Sequence, residues 1–166
     1  MSIHRFLHNP TQKFLALYMP NPPYHDNNKD NRLIAVSAED SNKYNSNWQY
    51  NSISDNNSAD YKTKIYTSKW RIEDQKLNIA VMGSIPINYE FPLGASSEKS
   101  SEFYFKPKIS DNGKQYYQIC TLIGSMECCI TLNHGNDSKE YSAAIIEITP
   151  QNNDDPNTFF SKEPAI

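Results

Sequence analysis

Glycine, cysteine and unbroken apolar stretches are all scarce in this sequence, and each scarcity excludes something. The 166 residues include five glycines, at 83, 94, 113, 124 and 135. They never cluster, so the Gly-rich loops that cradle nucleotide phosphates are excluded. The three cysteines are an odd number and two of them, Cys128 and Cys129, are adjacent. That usage argues against a disulfide framework and for a reducing compartment. No apolar run approaches the roughly 20 residues a membrane span requires. Residues 1–10 carry charge and histidine without the apolar core of a Sec-type signal peptide. The expectation is a cytoplasmic protein, or one released without such a signal, with no membrane insertion. Positive charge is lacking too: 16 Lys and Arg stand against 19 Asp and Glu, a net charge of −3. Nucleic acid is therefore not an expected partner, because its binding rests on a basic footprint. Lys62, Lys64 and Lys69 form a small basic group, but Asp55, Asp60, Glu73 and Asp74 surround it.

What the chain does have is aromatic side chains. Eleven Tyr, seven Phe and two Trp bring the aromatic fraction to 12% although only 37% of residues are hydrophobic. Disordered chains are poor in aromatics, so the reading is a single folded domain over 1–166 with long polar loops. No long segment shows a helical period. Instead, short runs rich in aromatic and β-branched residues recur between Asn, Asp, Gly, Pro and Ser, the pattern of strands and turns. Twelve strands are expected: 4–8, 14–19, 32–38, 48–53, 64–72, 77–82, 88–93, 102–109, 114–122, 127–132, 143–148 and 158–162. Asn9-Pro10, Asp111-Asn112-Gly113 and Asn133-His134-Gly135 mark breaks between them. Pro92 and Pro107 fall inside expected strands and require edge or bulge positions, because proline cannot donate to a ladder.

The chain divides into thirds, about 1–55, 56–110 and 111–166. In each, an aromatic follows a polar loop: Trp48, Phe103 and Phe159, spaced by 55 (103 − 48) and 56 (159 − 103) residues. Each third also carries an apolar hairpin arm, at 14–17, 77–81 and 129–132. Four strands per third, with an aromatic opening the fourth, resembles the β-trefoil superfold, and in style the ricin-B-like lectins and fungal β-trefoil protease inhibitors. The lectin motif Gln-x-Trp is not reproduced: Ser46-Asn47-Trp48 keeps the Trp, Ser101-Glu102-Phe103 and Asn157-Thr158-Phe159 do not, and none has the Gln. The resemblance implies an all-β fold of twelve strands in three pseudo-repeats, with Trp48, Phe103 and Phe159 as core plugs and ligands held by loops.

Motifs for chemistry are few. Cys128, Cys129 and His134 are close in sequence, but adjacent strand residues point to opposite faces and no nucleophile signature surrounds them. His4 and His8 share a strand face yet stand roughly 13 Å apart, too far to grip one zinc. Asp26-x-Asn28-x-Asp30 imitates the start of a calcium loop, but Asn31 replaces its glycine and Ser37 its closing Glu. No metal, cofactor or enzymatic activity is expected. The remaining signal is aromatic residues mixed with Asn and Asp on loops, which suits sugar rings and protein partners alike. The expected ligand-binding residues are Tyr24, His25, Asp26, Asn28, Asp40, Tyr44 and Asn45. The expected function is a non-enzymatic, lectin-like carbohydrate-binding protein. The alternative is a protein-binding module such as a protease inhibitor acting through the Pro-rich loop 20–31. A glycan or a protein is accordingly the expected partner.

Overall fold

A computed structural model of the chain describes residues 1–17, 33–72, 75–83, 90–132, 142–148 and 154–166. Their alternating apolar and polar runs form thirteen strands. These are β1 (Ser2–His8), β2 (Lys13–Leu17), β3 (Leu33–Val36), β4 (Trp48–Tyr50), β5 (Thr63–Lys64), β6 (Tyr66–Ile72) and β7 (Gln75–Val81). The others are β8 (Glu90–Ser96), β9 (Glu102–Ile109), β10 (Gln115–Ile123), β11 (Met126–Leu132), β12 (Ser142–Ile148) and β13 (Phe160–Pro164). Two short 3-10 turns, Ser52–Asn56 and Pro156–Thr158, interrupt them, and the described residues contain no α-helix. Each of the twelve expected runs holds a strand, though 48–53 is strand only over Trp48–Tyr50. Ser52 and Ile53 belong to the first 3-10 turn, and Thr158 belongs to the second. The one expected over 64–72 divides at Ile65 because the chain changes partners there: β5 pairs with β9, whereas β6 pairs with β4 and β7.

Every pairing among the described residues is antiparallel. One run of pairings leads from β6 through β4, β1, β13, β10 and β9 to β5, so its two ends, β5 and β6, are consecutive in sequence. Three hairpin pairs lie outside that run: β2 with β3, β7 with β8, and β11 with β12. β12 then pairs with both β3 and β8, so strands from all three hairpins meet. Both prolines fit this scheme. Pro92 stands where β8 passes from β12 to β7, and Pro107 lies beyond the reach of β5, which covers β9 only at its first two residues.

One core cluster collects side chains from the first to the last strand, among them Phe6, Leu15, Leu33, Trp48, Tyr50, Ile79, Phe103, Phe105, Ile130 and Phe160. Trp48 satisfies its buried indole by donating to the Leu15 carbonyl at 3.0 Å. Trp48 and Phe103 are the expected plugs, but Phe159 is not the third. Phe160 is 1% exposed, while Phe159 is half-buried and ends the turn Pro156–Thr158. A slip of one residue exchanges the two faces of a strand, and that turn delays the start of β13 by one.

The cysteines require a second correction. Cys120 on β10 and Cys129 on β11 are direct cross-strand partners joined in a disulfide, with Tyr104 packed against them. Cys128 faces the other way into the main core and is free. The odd count and the adjacent pair hid a bond set by strand register.

Candidate ligand-binding cleft

The β9–β10 hairpin turns through Ser110-Asp111-Asn112-Gly113. Gly113 has φ +81°, a left-handed conformation that favours glycine. Its N–H donates to the Ser110 carbonyl at 2.9 Å, and Ser110 N–H donates to the Lys114 carbonyl at 2.9 Å. The Asn112 side-chain oxygen accepts from Lys114 N–H at 3.1 Å and also meets the Ser110 hydroxyl. Asn-Gly chemistry thus fixes a projecting wall.

Residues 154–159 form the facing wall. Asp155 caps the short turn by accepting from Asn157 N–H at 3.0 Å, and Pro156 opens it. Thr158 Oγ1 donates to the Asp155 carbonyl at 2.7 Å and accepts from Gln118 Nε2 at 2.7 Å. His8, fully buried, anchors the same turn: its Nε2 meets the Asn157 carbonyl at 2.7 Å and its Nδ1 meets the Thr11 hydroxyl at 2.8 Å. A carbonyl only accepts, so Nε2 carries a proton and donates it there.

Between the walls lies an open cleft of about 620 Å³, lined by Asn9, Lys108–Asn112, Tyr116, Asp154, Pro156 and Phe159. On its lining the rings of Tyr116 and Phe159 stack with centroids 6.0 Å apart and planes at 21°. Lys114 Nζ lies 5.4 Å from the Tyr116 ring centroid. Lys108 Nζ pairs with Asp154 Oδ1 at 3.0 Å and ties the hairpin to the opposite wall. Asn9 closes the end, its N–H donating to the Phe159 carbonyl at 2.8 Å. The cleft therefore offers the half-buried Phe159 ring, backed by the buried Tyr116 (6% exposed), with amide donors, amide acceptors and carboxylate oxygens around it.

Of the seven expected ligand-binding residues, the three described ones, Asp40, Tyr44 and Asn45, are not on the lining of this cleft. Tyr24, His25, Asp26 and Asn28, with the whole loop 20–31, lie outside the described residues. Asp40 sits in a tight turn, pairing with Lys43 at 3.1 Å and receiving the Ser37 hydroxyl at 3.4 Å. Tyr44 packs on Phe14, Ala16, Ile34 and Val36. Asn45 is 3% exposed; its carbonyl accepts from Leu17 N–H at 2.9 Å and its side-chain oxygen from Asn47 N–H at 3.3 Å. Tyr44 and Asn45 hold the fold together locally. The turn Asp111-Asn112-Gly113 was legible as a turn, but nothing local in the sequence joins it to Asp154 and Phe159.

Reactive groups elsewhere are enclosed. Burial pushes the Cys128 thiol up, and the Glu127 carboxylate beside it adds to the shift. Glu127 itself is drawn upward by burial, but hydrogen bonds from Lys106 and Tyr104 outweigh that and hold it below the ordinary range. Among the described residues, Cys120, Glu127 and Cys129 bring their donor atoms within 4.8 Å of one another. The two sulfurs are bonded to each other, which leaves one carboxylate and no metal-binding set. The chain matches no protein-family model and no curated protein.

Proposed function

We propose that the chain is a non-enzymatic carbohydrate-binding protein of β-trefoil architecture, and that its sugar site is the cleft between the β9–β10 hairpin and residues 154–159. The trefoil reading is supported by the run of six pairings whose end strands, β5 and β6, adjoin in sequence, and by three hairpins that meet through β12. Four strands in each third, with the β5–β6 pair counted as one, give the same arithmetic.

The observation that carries the sugar reading is the Tyr116–Phe159 stack bordered by Asn9, Asp111, Asn112 and Asp154. A pyranose presents a face of C–H groups and a belt of hydroxyls. The first packs on an aromatic ring, and the second needs acceptors and donors close beside it. An open cleft of this size admits one or two sugar rings with their remaining hydroxyls in water. Ile109, 76% exposed on the rim, favours a protein partner instead.

A glycan array, followed by calorimetric titration of the hits, tests the reading. The expected outcome is a restricted set of bound glycans, with affinity falling about tenfold or more in Phe159→Ala and in Asp111→Ala. An array without hits at high protein concentration overturns it. Binding of a protein abolished by Ile109→Asp would favour the second reading.

A further inference from the structure

Lys162 on β13 occupies the place that Tyr50 holds on β4 and Phe105 holds on β9. Each lies two residues beyond a buried aromatic at the first or second position of its strand: Trp48, Phe103 and Phe160. Two thirds of the molecule put a buried ring at this position, and the last puts an amine there. The Lys162 Nζ lies 4.0 Å from the Phe105 ring centroid, 4.4 Å from that of Tyr117 and 5.3 Å from that of Tyr50. Asp55 completes the enclosure, with Oδ1 3.2 Å from Nζ, and only 11% of the lysine side chain is exposed.

The surrounding groups hold this arrangement in place. Asp55 accepts from Ser2 Oγ at 2.9 Å and from the Tyr50 hydroxyl at 3.4 Å, and Tyr50 also meets His4 Nδ1 at 2.9 Å. Taking an ammonium out of water is costly unless it is paired and contacted on its remaining sides. Three ring faces and one carboxylate around a single nitrogen supply that compensation, and the same combination recognises alkylated ammonium ligands. A lysine at a position that otherwise takes a ring is thus a ligand built into the chain.

We propose that the space between Tyr50, Phe105, Tyr117 and Asp55 is an ammonium-binding site whose resident ligand is Lys162, and that it accepts a free alkylammonium ion once that side chain is removed. This site is separate from the cleft, and its test does not depend on sugar binding.

The experiment compares n-butylammonium, which reproduces the lysine stem, with n-butanol as a neutral control on wild type and Lys162→Ala. Butylammonium is expected to bind the variant at least about tenfold more tightly than wild type and to raise its unfolding midpoint. Butanol is expected to do neither, and adding Asp55→Asn is expected to weaken the rescue. Equal effects on wild type and variant, or equal effects of amine and alcohol, would overturn the proposal. Where Lys162→Ala does not fold, NMR of the wild type decides. The Lys162 ε-methylene protons are expected upfield of those of the other lysines, through ring currents. A resonance among the exposed lysines contradicts the cage.

Discussion

Phe159 and Phe160 are neighbours with different work, and single substitutions separate them. Phe160→Ala empties a fully enclosed site and is expected to cost about 3–5 kcal/mol, whereas Phe159→Ala is expected to cost less than about 1.5 kcal/mol while weakening ligand binding. Urea unfolding of the two variants checks both figures. Aromatic spacing alone selects Phe159 for the core, because it repeats the interval between Trp48 and Phe103. The proline at 156 and the cap at Asp155 carry the contrary signal: they wind residues 156–158 into a turn before the strand can begin. His4 gives the residue scale its pH dependence. Burial, reinforced by Lys162, holds its imidazolium below the ordinary value of 6.5 against a smaller opposing pull from Asp55. A base with a lowered folded pKa takes its proton more readily when unfolded. Stability is therefore expected to fall as pH drops from 7 through that ordinary value, and His4→Asn is expected to flatten this part of the profile of urea midpoints.

Elements were legible wherever a run of strand-forming residues ended in turn chemistry. The Asn112-Gly113 turn is such a case, and its glycine is tied to φ +81°. Gly113→Ala is expected to cost roughly 1 kcal/mol, measured as a lowered unfolding midpoint without loss of far-ultraviolet signal. What the sequence concealed was pairing. Cysteine counting treats Cys120 as a leftover, yet a hairpin turning at Gly124-Ser125 sets Cys120 directly opposite Cys129. The bond closes a loop of nine-residue separation, so removing it is expected to cost about 2–3 kcal/mol. Non-reducing peptide mapping should recover the Cys120–Cys129 linkage, and the urea midpoint should fall in reductant and in the Cys120→Ala, Cys129→Ala double variant.

At the scale of the whole molecule, pairings between strands far apart in sequence bring distant segments together. Asn9 comes from the first hairpin, Lys108 to Tyr116 from the β9–β10 hairpin, and Asp154 to Phe159 from the approach to the last strand. No window of sequence contains that combination, which is why the cleft was not among the segments, 24–28 and 40–45, where ligand-binding residues were expected. The spacing of Trp48 and Phe103 pointed to two of the buried rings, and the same spacing misplaced a third at Phe159, where the buried ring is Phe160. The account stands most directly on backbone amide NMR during titration of the isotope-labelled protein with a pool of common mono- and disaccharides. It predicts saturable shifts at residues 109–116 and 154–159, lost in Phe159→Ala. The absence of any saturable shift, or shifts centred on 37–45 instead, would contradict it.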